Sequence, residues 1–423
     1  MIVALLVLLL ILLALAGEPL FIVIAAAALI GFYTSDVDLA VVAIEIYRLT
    51  ETPLLLALPL FTFAGYLLSE ANTSHRLVRL SRCLLGWLPG ELIFVTLVTS
   101  ALFTAFTGAT GVTIVALGAL LYPALKEIGY PKNFNLGLVT SAGSLGLLLP
   151  PSLPLILYVV VAQQLNLGVP ISITQVFLAG ILPTLLMLVM LGGWSLWATR
   201  KTKIPKSEFN AREAWDALKE VKWELPLPIF VLGGIYGGVF AVSEAAAVTA
   251  LYVLAIQLLF YREIKLTDLP RIMKESMTIV GGILLILGVS LALTNFLVDA
   301  EVPGKLFEWI QSNISSRYTF LALLNIVLLI LGAFLDIFSA LVIMVPLILP
   351  VAIQYGINPV HLGIVFLANM QLGYLTPPVG INLFISSYRF EKPIEEIYQA
   401  TLPFLIFLLI SVIIITYLPF LYY

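Results

Sequence analysis

Cysteine occurs once in the 423 residues, at Cys83. An internal disulfide and a thiolate metal cluster are therefore excluded. Histidine occurs twice, at His75 and His361, too few and too isolated for a metal site. No stretch reads Gly-x-x-x-x-Gly-Lys-Ser/Thr, so the chain carries no phosphate loop for ATP hydrolysis. His-Glu-x-x-His is absent, and no Ser-His or Cys-His constellation has enough members for nucleophilic catalysis. Nothing in this inventory points to an enzyme or to an organic cofactor. Charge is also scarce: 11% of residues are Asp, Glu, Lys or Arg, while 61% are hydrophobic. A soluble domain is about half apolar and about a quarter charged. So few charges cannot build a water-facing shell, and lipid must be the solvent for most of the surface. The net charge of −3 argues neither for nucleic acid nor for a strongly acidic partner.

What is abundant is long apolar sequence. A helix rises about 1.5 Å per residue, so crossing the apolar core of a bilayer takes about 20 residues. Crossings are predicted near 1–16, 19–33, 53–70, 133–163, 172–199, 225–241, 243–261, 276–298, 358–388 and 395–420. The run from Met1 to Ala16 lacks a basic n-region and is followed at once by another apolar run, so it reads as a mature helix rather than a removable signal. Gly17-Glu18-Pro19 separates the first two runs, and a single helix is the alternative there. The stretches 36–50 and 263–275 are more polar and read as short amphipathic helices along the interface.

Basic residues fix the orientation. They cluster in a loop around 75–82 (His75, Arg76, Arg79, Arg82), at Lys126 and Lys132, across 200–224, and at Arg262, Lys265, Arg271 and Lys274. These can share the cytoplasmic side if two further apolar segments, about 88–125 and 316–350, are re-entrant. The first has arms at 91–106 and 112–122 around Thr107-Gly108-Ala109-Thr110-Gly111; the arms reach roughly 24 Å and 17 Å, short of a core of about 30 Å. The second has arms at about 318–333 and 339–350 around Asp336. Both are read as helical hairpins that enter and leave on one side; two ordinary crossings each is the alternative.

The chain also repeats. Gly146-Leu147-Leu148-Leu149-Pro150-Pro151 matches Gly373-Tyr374-Leu375-Thr376-Pro377-Pro378 at an offset of 227, which also relates Pro123 to Pro350 and Gly129 to Gly356 and sets the first hairpin tip on Phe334–Phe338. Residues 1–200 and 225–423 are then two repeats of five crossings and one hairpin, joined by a cytoplasmic basic linker, 201–224. An odd number of crossings turns the second repeat upside down, the inverted arrangement typical of secondary transporters, and puts both termini outside. Trp194, Trp197 and Trp223 flank the linker as interfacial aromatics.

A Pro-Pro pair inside an apolar helix breaks it, and the freed carbonyls must line a protein-enclosed polar site. Two such breaks exist, Gly146–Ser152 and Thr376–Asn382, each paired by the repeat with a hairpin tip. Such carbonyls suit Na⁺, and half-helix N-termini suit an anion. The tip adds the hydroxyls of Thr107, Thr110 and Thr113. Asp336 lies within an apolar segment, where a carboxylate is costly; it could ligate sodium, cap a hairpin helix or carry a proton. Ser141, Ser144, Asn295, Asn325, Asn369, Gln371 and Asn382 read individually as interhelical hydrogen-bonding residues. Arg389 reads as an anchor beside the second break, and Glu244 as a partner for a helix N-terminus.

These residues resemble the large membrane subunit of tripartite ATP-independent periplasmic (TRAP) transporters over nearly the whole chain. The resemblance rests on Pro59-Leu60-Phe61 with Ala64-Gly65, on Gly146 to Ser152, on Phe334-Leu335-Asp336, and on Gly373 with Thr376-Pro377-Pro378-Val379-Gly380. The family's first tip usually reads Ser-Gly-Ser-Ser; here Ala109 stands third, so carbonyls must do more there. The resemblance implies an elevator-type fold with scaffold and transport domains in a bacterial or archaeal cytoplasmic membrane. It implies sodium-driven import of an organic acid such as a dicarboxylate, a sialic acid or a sugar acid. It further implies that two or more Na⁺ couple transport, and that the partners are a separate small four-helix membrane subunit and a periplasmic substrate-binding protein. By this likeness one sodium site uses Thr107, Gly108, Thr110, Gly111, Gly146 and Pro150, and a second uses Phe334, Asp336, Gly373, Thr376 and Pro377. Substrate lies between the hairpins, near Ser152, Thr110, Ser339, Gly380 and Asn382. The alternative is a stand-alone sodium- or proton-coupled elevator carrier or antiporter.

Overall fold

In lipid, a segment that cannot pair edge to edge must satisfy its backbone internally, which leaves the helix. The computed structural model describes residues 9–10, 12–13, 18–85, 88, 90–202, 210–314 and 316–418, and among these there is no strand. Among the described residues, eight helices are long and apolar enough to cross a membrane, or up to nine if one bent pair counts as a single span. The run predicted at 1–16 lies almost wholly outside the described residues.

The first half runs through α1 (Leu20–Thr34), α2 (Ala40–Arg48), α3 (Ala57–Glu70, preceded by tight turns over Pro53–Leu56) and α4 (Thr73–Leu85). Then come α5 (Glu91–Thr107) and α6 (Thr110–Ile128), α7 (Lys132–Ala142) and α8 (Leu153–Gln164), and α9 (Ile173–Thr199). The linker holds α10 (Ala211–Glu220), capped by the Asn210 side chain. The second half is α11 (Pro226–Tyr236), α12 (Val242–Ala255), α13 (Leu269–Asp299), α14 (Val302–Asn313), α15 (Arg317–Phe334), α16 (Ile337–Gln354), α17 (Pro359–Gly373), α18 (Ile381–Phe390) and α19 (Ile394–Tyr417). The α5–α6 and α15–α16 pairs, and the α7–α8 and α17–α18 pairs, recur close to the 227-residue offset.

Several expectations change. The supposed loop at 75–82 is the middle of α4, an amphipathic helix with Arg76, Arg79 and Arg82 along it. The stretch 263–275 is not a separate helix: residues 269–275 are the first two turns of α13, because Pro270 sits at its start, where proline is tolerated, and no breaker follows. The crossing near 225–241 stops at Tyr236, where Gly237 and the left-handed Gly238 close it. Trp194 is half-buried against Phe404, with ring centroids 4.4 Å apart. The hairpin arms are longer than their sequence suggested: α6 has 19 residues, and α15 and α16 have 18 each. Their length therefore does not exclude two crossings. Glu244 behaves as predicted, accepting from the Ala241 N–H at 2.8 Å in the first turn of α12.

Charge holds one end of the molecule together. Arg76 on α4 is buried and donates to Glu224, just after the linker helix, at 2.6 Å and 3.1 Å, and to Glu263, between α12 and α13, at 2.5 Å. Thr73 donates to the same Glu224 carboxylate, the Asn72 N–H donates to Glu263, and the Tyr261 ring lies 3.9 Å under the guanidinium. Burial alone would lower the Arg76 pKa; the two carboxylates more than reverse this and raise it. Burial likewise pushes Glu263 up, but Arg76 and the Asn72 N–H outweigh it and hold the carboxyl below its ordinary value.

Removing one partner of a buried ion pair leaves an uncompensated charge. Arg76→Ala should therefore cost about 3–5 kcal/mol, read as a lower unfolding midpoint in detergent. Arg79→Ala, at the exposed pair with Glu220, should cost less than about 1 kcal/mol. The Glu263 contribution is present above its unfolded pKa of about 4.3 and is lost as pH falls through the lower folded value. The parent midpoint should thus drop on acidification into that range, and the Glu263→Gln midpoint should drop less.

Candidate functional site

Each proline pair does what the sequence demands of it. In the first half α7 ends at Ala142, a tight turn spans Leu145–Leu148, and α8 begins at Leu153, at a bend of 40°. In the second half α17 ends at Gly373 and α18 begins at Ile381. The Pro150-Pro151 and Pro377-Pro378 bonds are both cis. Most polar backbone at the breaks is met locally. Leu149 N–H donates to Gly146 O at 3.1 Å and Thr376 N–H to Gly373 O at 2.9 Å. The fully buried Ser152 spends its hydroxyl on Leu147 O, and Thr376 its own on Leu372 O.

The hairpin tips rest against these breaks. Gly146 lies against the backbone of α5: a Cβ there would sit 2.5 Å from Ala105 N. Gly373 meets Gly332 of α15 in the same way, 2.5 Å from its Cα, and Ala105 and Gly332 are themselves at the repeat offset. Thr104 on α5 donates to Gly143 O at 2.8 Å and shares a hydroxyl contact of 2.7 Å with Thr113 on α6. At the second tip, Gly380 N–H donates to Ala333 O at 3.0 Å and Ile337 N–H to the Tyr374 hydroxyl at 2.7 Å. Sequence reasoning missed Thr104 and Tyr374. The signals were present: Thr104 is one helical turn from Thr107, and Tyr374 adjoins Gly373.

The second arms cross over. Helix α6 packs on α18 of the other half, and α16 packs on α8. At the first crossing Thr110 donates to Asn382 Oδ1 at 2.7 Å, and both side chains are buried. The Asn382 amide nitrogen is buried without a partner. The equivalent positions at the other crossing, Ile337 and Leu155, are apolar and buried. The structure thus brings Thr110 and Asn382 together across halves, and it places the first tip between its own break and the other half's second half-helix.

Elsewhere the candidates have local duties. Thr107 bonds back to Phe103 O at 2.9 Å; Gly108 is left-handed and ends α5. Asp336 is the N-cap of α16, accepting from Phe338 and Ser339 N–H at 3.0 Å each, with the Ser339 hydroxyl on its other oxygen. Of the three roles open to Asp336, capping is thus present. Phe334 is exposed, and Gly111 lies in the first turn of α6 against Ile385. Arg389 is exposed, with Nε on Val115 O at 3.1 Å. Asn369 donates to Asn325 at 2.6 Å, and Asn325 to Thr416, joining α17, α15 and α19 as interhelical glue.

Beside the Thr110–Asn382 crossing opens a cavity of about 650 Å³ between α3 and α13 on one wall and α6 and α18 on the other. Tyr66, Ser69, Glu70 and Glu275 line the first wall; Gly111 and Tyr388 belong to the second. Arg271 pairs with Glu70 at 2.5 Å and with Glu275 at 3.2 Å. The donors around both tips are oxygens of carbonyls, hydroxyls, one amide and one carboxylate, the set a hard cation such as Na⁺ takes. Among the described residues no group of three or more His, Cys, Asp or Glu is placed to hold a metal ion.

Helix α3 touches the first tip through a bare backbone. A Cβ on Gly65 would lie 2.7 Å from Phe106 O and 2.7 Å from Thr107 Cα, backbone atoms that cannot swing away. Gly65→Ala should therefore push the tip off α3 at a cost of about 1–3 kcal/mol, seen as a lower unfolding midpoint and slower transport. Gly282→Ala, on an α13 face with nothing within 4 Å, should leave both unchanged.

Residues 3–421 match the family described as "Tripartite ATP-independent periplasmic transporter, DctM component". The chain is 34% identical over 421 residues to the C4-dicarboxylate TRAP transporter large permease protein DctM of Rhodobacter capsulatus, covering 97% of this chain and 96% of that one. It is 32% identical over 370 residues to the sialic acid TRAP transporter large permease protein SiaM of Vibrio cholerae, covering 86% of this chain and 84% of that one. Among solved structures, the Alcanivorax borkumensis YdaH transporter superposes with a TM-score of 0.60 at 16% identity, over 88% of this chain and 89% of that one, a likeness of fold. The two matched helix breaks, the two hairpins resting on them and this near full-length similarity have one conclusion: the chain belongs to the DctM family, the large permease subunits of TRAP transporters.

Proposed function

We propose that this subunit imports a small organic acid across a bacterial or archaeal cytoplasmic membrane, driven by at least two Na⁺ and by an elevator movement. The observation that carries the reading is the crossed packing of the two hairpins on the two broken helices. Four half-helices and two tips interlock, so they move as one transport domain. The frame is α1–α3 and α11–α13, whose contacts include two hydrophobic clusters of their own. Buried tip residues Thr107, Thr110 and Ser339, with tip-to-break hydrogen bonds from Thr104 to Gly143 and from Ile337 N–H to Tyr374, favour re-entrant hairpins over four crossings. With both hairpins re-entrant, the two halves, 1–200 and 225–423, are inverted repeats. The basic ends of α4, α9, α10 and α13 then face the cytoplasm and both termini face outside.

The first Na⁺ is assigned to the tip of α5–α6 and its break, through Thr107, Gly108, Thr110, Gly111, Gly146 and Pro150, with Thr104 and Thr113 added from the geometry. The second is assigned to Phe334, Asp336, Gly373, Thr376 and Pro377, with Tyr374 holding the tip. Substrate lies against Thr110 and Asn382, whose buried unpaired amide nitrogen supplies a donor for a carboxylate. Ser339 and Gly380 sit at the second tip, and Ser152 keeps a structural duty at the first break. Filling the sites lets the tips close over satisfied oxygens; a half-filled site would carry unpaired polar groups across an apolar barrier, which is costly. Membership of a tripartite family supports a small membrane subunit and a periplasmic binding protein as partners.

The test is uptake of labelled dicarboxylate and sialic acid into proteoliposomes holding this chain and its small subunit, with and without the binding protein. Uptake should need both an inward sodium gradient and the binding protein. Sodium-driven uptake without it would favour a stand-alone carrier and remove the periplasmic partner. Asp336→Ala should insert normally yet lose sodium-coupled uptake; full coupling in that variant would remove Asp336 from the sodium site.

A further inference from the structure

A second cavity lies on the seam between frame and core, at the other end of α13. It holds about 130 Å³, room for about four waters or one small carboxylate. It abuts the second crossed pair: Gln164 and neighbours come from α8, Val342 and Pro346 from α16. Ser290, Thr294 and Asn295 of α13 form its opposite wall with Arg48, the last residue of α2. The larger cavity beside Glu275 faces the first crossed pair in the same manner. Glu275 and Asn295 are separated by roughly 30 Å along one continuous helix. The seam therefore carries one cavity at each end, each seated on one crossing.

The polar groups of this second cavity are under-used. Arg48, whose side chain is 53% exposed, meets the buried Glu45 through Nη1 alone, at 3.2 Å to each oxygen, which leaves Nε and Nη2 open toward the cavity mouth. The Gln164 side chain makes no hydrogen bond among the described residues: its Nε2 is free to donate to an anion, while its buried Oε1, an acceptor, faces away from that role. Thr294 is buried and Asn295 half-buried, and neither side chain makes a hydrogen bond among the described residues. Ser290 is the exception, donating to Val342 O at 2.9 Å. Buried polar groups are seldom left unpaired unless a ligand or water meets them. A free guanidinium edge beside hydroxyl and amide donors is the chemistry of an oxyanion site.

We propose that this cavity is an anion-binding site at the outer end of the seam, taking a small carboxylate or sulfonate between Arg48 and the Gln164, Thr294 and Asn295 side chains before it reaches the hairpin tips. The outer assignment and the organic-acid cargo rest on the transport reading above; the site itself rests on the cavity. Glu45 is the internal competitor that holds Arg48 when no anion is bound.

The test uses Cys83→Ser with Val298→Cys, an exposed position on the cavity lining outside the proposed ligand set, reconstituted with the small subunit and exposed from outside to membrane-impermeant methanethiosulfonates, one anionic (a small sulfonate) and one cationic. The anionic reagent should react faster, and its rate should saturate with concentration, as reversible binding ahead of reaction requires. Arg48→Gln should abolish the saturation and lower the anionic-to-cationic rate ratio about tenfold. Glu45→Gln should move the ratio the other way, which a loss of folding would not do. A linear rate in the parent or a ratio unmoved by Arg48→Gln would overturn the site; no labelling from outside would overturn its outer placement. The readout is labelling rather than uptake, so it stands even where sodium-coupled transport fails.

Discussion

The constraint on which the rest depends is the polar backbone exposed where a helix stops inside the membrane. Four places in this chain interrupt apolar helices, two proline-pair breaks and two hairpin tips, and on the proposed re-entrant reading all four lie inside the membrane. Water would satisfy such groups at no cost; lipid cannot. Each half therefore brings its own tip and break into contact. Gly146 against Ala105 and Gly373 against Gly332 allow backbone to approach backbone, so that side chains such as Thr104 and Tyr374 can reach the orphaned atoms. The small residues are consequences of polar satisfaction rather than of tight packing for its own sake.

Contact within each half would give two independent sites. The second arms prevent that by crossing, α6 on α18 and α16 on α8. A displacement of either tip must then be felt at the other half's half-helix, so the two tip-and-break units share one body. The crossings are also unequal. One carries a buried Thr110–Asn382 hydrogen bond, the other a buried Ile337 and Leu155. A repeat that were chemically perfect would offer a polar solute two equal seats; this departure gives the polar one to a single crossing.

Much of this was legible in the sequence. The 227-residue offset, the two breaks, the tips and the basic end follow from Gly, Pro and Lys/Arg placement, because these residues act locally on backbone or on membrane orientation. The short helix α2 within 36–50 and the cap at Glu244 were legible for the same reason. What was not legible depends on tertiary partners. Helix α4 looked like a loop because its arginines are charged, yet Glu224 and Glu263, far along the chain, bury Arg76. Helix α13 absorbed residues 269–275 because nothing stops it, and polarity alone does not end a helix. The arms of the hairpins outran the apolar stretches that marked them, since helices continue into polar ends wherever a partner meets them. The crossing of the second arms has no sequence signature at all: Thr110 and Asn382 are single polar residues in apolar runs until the fold sets them 2.7 Å apart.

The seam between frame and core has to satisfy opposing demands. On the proposed elevator mechanism it must hold well enough to seal and release well enough to slide. Interdigitated side chains seal but resist sliding, because packed interfaces move between discrete arrangements rather than deforming smoothly. At the point where α3 meets the first tip, this chain places Gly65, which presents backbone to backbone without a side-chain ridge. Toward both ends of α13 the seam instead opens into cavities, each with a few polar groups among apolar walls. The charged groups that fasten elements firmly lie beyond the seam, where Arg76 ties α4 to the linker and to the turn ahead of α13. Helix α4 directly precedes the first hairpin, so its anchored end gives the moving body a fixed point of attachment, while the bare contact at Gly65 leaves the tip free to depart. Strong bonds at the root and a smooth surface at the tip are the arrangement a sliding domain requires.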